Sequence, residues 1–214
     1  MILFVPGYDP ATRANLAVAE WILPDDCRPL LGGAATRDEL LLALAHKARP
    51  LFAMSHGRPE DFAEQGGGVA FGLADVQALS HQPVFAFACH TVMGLGKAAA
   101  AAGSVWWGYT GAVSTAPDSS PRLLSLFGKV FSYILDSFAE ARSGEQRDAV
   151  LLRIAELCHE AEEQIDELQE SDPDLDAGSA LFCLLHIWER LRIWEPGASL
   201  PKKHPEAKPP VLFL

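Results

Sequence analysis

Short apolar runs alternate along the chain with stretches in which apolar residues recur every three or four positions. Ile2-Leu3-Phe4-Val5 has the form of a strand, Pro6-Gly7-Tyr8-Asp9-Pro10 breaks it as a turn, and Leu16, Ala19 and Ile22 then share one face of a helix. A weaker strand is expected over residues 27–31, closed by Gly32-Gly33. Thr36 follows, three residues before Glu39, which is the spacing of a capping box ahead of Leu40, Leu41 and Leu44. The continuous apolar runs at 51–54 and 84–88 each follow a proline, the pattern of central strands covered on both faces. Residues 104–109 form another such run, after an alanine-rich helix that ends at Gly103.

This order of strand and helix predicts an α/β fold with a mostly parallel central sheet and helices on both sides. The long excursion 58–82, with Gly66-Gly67-Gly68 and an N-cap expected at Asp75, predicts a small hairpin and a short helix. Residues 117–121 read as a polar break. A helix follows through Leu123, Phe127, Val130, Ile134 and Phe138. The next helix repeats Leu151, Ile154, Cys158, Ala161, Ile165 and Leu168 on one face, with glutamates on the other. A last helix is expected over 179–194. One domain therefore spans residues 1–195, and 196–214 forms an extended tail ending in Val-Leu-Phe-Leu.

Charge narrows the function. With 28 acidic against 17 basic side chains the formal net charge is −11, which repels phosphate backbones and anionic headgroups, so neither nucleic acid nor membrane is an expected partner. No run of 18 apolar residues occurs, and the apolar N-terminus lacks a preceding basic residue and a small-residue cleavage site. A cytoplasmic protein is expected. The four cysteines, 27, 89, 158 and 183, are widely spaced with no CxxC pair, so they suggest neither a disulfide framework nor a zinc ribbon.

Open parallel sheets place ligands at the carboxyl ends of their strands. Two reactive side chains fall at such ends: His56, followed by Gly57, after the run 51–54, and Cys89 after the run 84–88. If those strands are neighbours, the strand spacing of about 4.8 Å brings both to one rim, within reach of one substrate carbonyl. A cysteine nucleophile works as its thiolate, which an imidazolium partner stabilises, and the same ring can protonate a leaving amine. The N–H groups of Gly57 and Cys89 are candidates for holding an oxyanion. No third catalytic side chain is evident, and histidine before cysteine excludes the papain-like order.

Three segments, Met54-Ser55-His56-Gly57, Gly72-Leu73-Ala74-Asp75-Val76 and Phe85-Ala86-Phe87-Ala88-Cys89-His90-Thr91, resemble the core of CHAT domains, relatives of caspases, separases and gingipains. Residues 102–108 and the helix from Leu123 continue the likeness, which covers roughly 50–160. The resemblance implies a caspase-like three-layer sandwich and a cysteine endopeptidase. Cys89 is then the nucleophile and His56 the general acid/base, with no cofactor and no metal. Two departures stand out. The glycine usual shortly after the cysteine is displaced to Gly94, and Phe87 occupies the place of an aspartate that selects basic residues in metacaspase-type relatives. Such a basic preference is therefore not carried over. Asp75, Asp118 and Trp107 are candidates for the substrate pocket; in bland terms they are a helix cap, a loop residue and a core ring.

Cys27, Cys158 and Cys183 read as packing residues, and His90 as a loop residue without a direct role. A metal site from His56, His81, Cys89 and His90 matches no zinc spacing. The expected partners are a protein or peptide substrate and a separate regulatory protein. The rival function is a catalytically silent caspase-like module that binds a partner through the acidic helix or residues 211–214. An α/β-hydrolase is weaker still, because no G-x-S-x-G occurs.

Overall fold

A computed structural model describes residues 1–46, 48–115 and 120–208. Its centre is a six-stranded sheet. In chain order the elements begin with β1 (Ile2–Val5), α1 (Pro10–Trp21), β2 (Arg28–Leu31), α2 (Arg37–His46) and β3 (Leu51–Met54). A hairpin of β4 (Asp61–Ala63) and β5 (Val69–Gly72) and a 3-10 stretch Leu73–Leu79 fill the excursion before β6 (Val84–Phe87). A π-turn (Val92–Gly96), α3 (Lys97–Ala101) and β7 (Trp106–Tyr109) follow, and then α4 (Pro121–Ser137), α5 (Gly144–Ser171), α6 (Ala177–Glu189) and β8 (Leu191–Trp194). The strand order is β2-β1-β3-β6-β7-β8, parallel throughout except for β8, which pairs antiparallel to β7.

Every residue of β1, β3, β6 and β7 is buried because the sheet is covered on both faces. Side chains alternate between the two layers. Leu3, Val5, Phe52, Met54, Phe85, Phe87, Trp107 and Tyr109 join α1, α4, α5 and α6 on one face. Ile2, Phe4, Leu51, Ala53, Val84, Ala86 and Trp106 meet α2 and α3 on the other. The result is a three-layer α/β/α arrangement. Burial of each large side chain contributes about 2 kcal/mol.

Three sequence expectations are corrected here. The last helix does not run to Trp194: it stops at Glu189, with Arg190 as its C-cap, and Leu191–Trp194 closes the sheet instead. Helical and strand periods both fit so short an apolar run, and the open edge of β7 decides between them. Gly72, not Asp75, is the N-cap of the 3-10 stretch; the Asp75 carboxylate reaches back to the Gly72 N–H at 2.9 Å. Both rings of the tryptophan pair are fully buried, Trp107 included, so that neither walls a cleft. No helix among the described residues is long and apolar enough to cross a membrane.

Candidate active site

The neighbouring positions of β3 and β6 bring His56 and Cys89 to one rim. The two strands pair in parallel register, Met54 opposite Phe87, and each reactive residue stands two positions beyond that pair. The ladder's last bond runs from Ser55 N to Phe87 O at 3.1 Å. A further step would tie the Cys89 N–H to the Ser55 carbonyl, but among the described residues that bond is not made, and the chain turns away at Cys89. The Cys89 N–H is thereby left free of the sheet.

Three contacts fix the His56 backbone. Its carbonyl accepts from Ala63 N at 2.9 Å, Gly57 bridges Phe62, and the buried Ser55 hydroxyl donates to the Ala63 carbonyl at 2.6 Å. In this bridge Gly57 is the residue between the two hydrogen-bonded positions, so its own N–H is not spent on the hairpin. The hairpin is itself held from outside: Gln65 accepts from Gly7 N at 2.7 Å, Glu64 accepts from Arg37 N at 2.6 Å, and Gln65 N donates to Ala35 O. The segment after Cys89 lies on the segment after His56, with Leu95 N donating to Pro59 O at 2.6 Å. From behind, the π-turn is anchored by the Trp194 indole, which donates to Val92 O at 2.8 Å.

The His56 side chain is 46% exposed, and its Nε2 lies 2.6 Å from Asp9 Oδ2. Sequence reasoning missed this third residue. Asp9 directly precedes the helix-opening Pro10, so its role as the N-cap of α1 was legible. Its contact with a ring 47 positions away was not. The partly exposed Cys89 sulfur takes both its bonds from the loop after β7: Val113 N donates to Sγ at 3.4 Å, and the thiol faces Val113 O at 3.6 Å. No hydrogen bond joins His56 to Cys89 among the described residues. A cavity of about 340 Å3 opens beside His56, walled by Tyr8, Arg58, Asp61, Val69 and the Gly67-Gly68 backbone. A larger groove between α4 and α5 involves neither reactive residue.

The remaining candidates lie elsewhere. Arg37 clasps Asp75 through both oxygens, at 2.7 and 2.8 Å, and Asp75 does not line the cavity. Burial acts to raise the Asp75 carboxyl, but the bonds from Arg37 and Gly72 outweigh it and hold the group below its ordinary value. Asp118 lies outside the described residues. Burial raises the thiols of Cys27, Cys158 and Cys183, most strongly Cys158, as expected of packing residues. His90 is exposed, with φ of 61°, a left-handed conformation that is uncommon for a residue other than glycine. No group of three or more ligating side chains that would hold a metal occurs among the described residues. Comparisons with protein-family models, curated proteins and solved structures find no match to this chain.

Proposed function

We propose that this chain is a caspase-like cysteine peptidase of CHAT type, in which Cys89 is the nucleophile and His56 the acid/base. The observation that carries the reading is the equal register of the two residues beyond the ends of adjacent parallel strands, with two N–H groups on the same rim, Gly57 and Cys89, that make no backbone bond among the described residues. The six-stranded sheet closed by an antiparallel edge, with helices on both faces, supports the caspase-like architecture.

Cys89 Sγ, as thiolate, attacks the carbonyl carbon of a peptide bond. The oxygen takes the negative charge and is stabilised by the free N–H groups. As the C–N bond breaks, the His56 imidazolium protonates the departing amine, which leaves an acyl thioester on Cys89. Water then adds to that carbonyl while His56 takes its proton. The C–S bond breaks, releasing a carboxylic acid and restoring the thiolate. Every step is an acyl or proton transfer, and no cofactor enters the balance.

One observation favours the silent binding module: Cys89 Sγ bonds to Val113 and not to His56. Turnover of a mixed peptide library separates the two readings. Peptidase action predicts cleavage lost in Cys89→Ala and reduced about 10²-fold or more in His56→Ala. No cleavage of any peptide leaves the binding module, and cleavage that survives Cys89→Ala overturns Cys89 as the nucleophile.

A further inference from the structure

We propose that Asp9 is the positioning residue for His56, fixing the ring so that Nε2 carries the proton and Nδ1 faces the reacting groups. The inference deepens the peptidase reading and rests on it for its catalytic half. The geometry divides the carboxylate between two tasks. Oδ1 accepts from Thr12 N and Thr12 Oγ1, both at 2.8 Å, while Asp9 N donates to Thr12 Oγ1 at 3.0 Å. This reciprocal cap, with Pro10 opening the helix, leaves the carboxyl no free rotation, so Oδ2 is aimed at the ring. The 2.6 Å separation to Nε2 is that of a charge-assisted bond.

Burial of Asp9 acts to raise its carboxyl, but the bonds from Thr12 and from the ring outweigh that and hold it below the usual value. It is therefore ionised at neutral pH and can only accept, so Nε2 must be the donor. With Nε2 engaged, Nδ1 is the only nitrogen of the neutral ring that can take a proton from water or thiol. Tyr8 flanks the ring at 5.9 Å between centroids, on the side of the cavity.

A purely structural Asp9 would only cap α1, and asparagine caps a helix as well as aspartate does. Asp9→Asn therefore separates the two roles. Its Oδ1 keeps the Thr12 bond, but its amide turns an N–H toward Nε2 and reverses the tautomer the ring must adopt. The test records 15N spectra of histidine-labelled parent and Asp9→Asn proteins, with the His56 resonances assigned by their loss in His56→Gln. The neutral ring of the parent should be protonated at Nε2 and that of Asp9→Asn mainly at Nδ1, with melting temperatures close to one another. On a cleaved peptide, Asp9→Asn should lower kcat about 10²-fold with KM within about twofold. An unchanged tautomer in Asp9→Asn overturns the proposal, whatever the turnover. A reversed tautomer in a protein that cleaves nothing upholds the positioning contact and sinks the peptidase reading instead.

Discussion

A Cβ placed on Gly57 would lie 2.6 Å from the Cys89 carbonyl oxygen and 2.8 Å from the Ala88 Cβ. The loop after His56 and the turn at Cys89 therefore touch backbone to backbone, and only glycine permits it. Neither obstacle is the end of a flexible side chain. Gly57→Ala should cost about 1–3 kcal/mol in chemical denaturation, as overpacking against fixed atoms does. Gly33 has nothing within 4 Å of its built Cβ, and Gly33→Ala should stay within about 0.5 kcal/mol of the parent. Equal effects at the two positions would contradict the close approach.

The Arg37–Asp75 clasp should govern part of the acid limb of stability. The Asp75 carboxyl titrates lower in the folded chain than the value of about 3.9 it has when unfolded. Its contribution is thus complete above that unfolded value and disappears as pH falls through the lower folded one. Asp75→Asn should cost about 2 kcal/mol at pH 7 and flatten the stability profile below pH 4. Circular dichroism against denaturant at several pH values measures both, and an unchanged acid slope would show that Asp75 adds nothing there.

His90 holds a left-handed backbone next to Cys89, which costs a non-glycine residue about 1 kcal/mol. His90→Gly should melt at the same or a higher temperature and, on the proposal that the exposed ring has no direct part in the chemistry, leave Cys89 labelling unchanged. Labelling that falls severalfold in this variant would give the imidazole a role and revise the site.

Where one period dominated locally, the chain was legible. The proline-bounded runs 51–54 and 84–88 became β3 and β6, the glycine-rich excursion became the β4–β5 hairpin, and Thr36 accepts from Glu39 N at 3.4 Å as the capping spacing implied. What escaped was decided by partners distant in sequence. Leu191–Trp194 is a strand because β7 offers an edge, and Trp107 is buried because α4–α6 cover that face of the sheet. Asp75 turned from a cap to an N3 residue once Arg37, 38 positions earlier, claimed its carboxylate. His56 and Cys89 could be placed at strand ends from local pattern alone. Asp9 could not be joined to them, since nothing in a turn cluster encodes the histidine that folding delivers to it.

Labelling with an electrophilic peptide probe, read out by mass spectrometry, tests most directly whether Cys89 is a nucleophile coupled to His56. Cys158 and Cys183 are buried and Cys27 is half-buried, all with thiols raised by desolvation, so they compete poorly. Near pH 6.5 the probe should modify Cys89 first, and His56→Ala should slow that reaction about tenfold by removing the partner of the thiolate. Modification of Cys89 no faster than the other three thiols, at a rate indifferent to His56→Ala, would contradict the account.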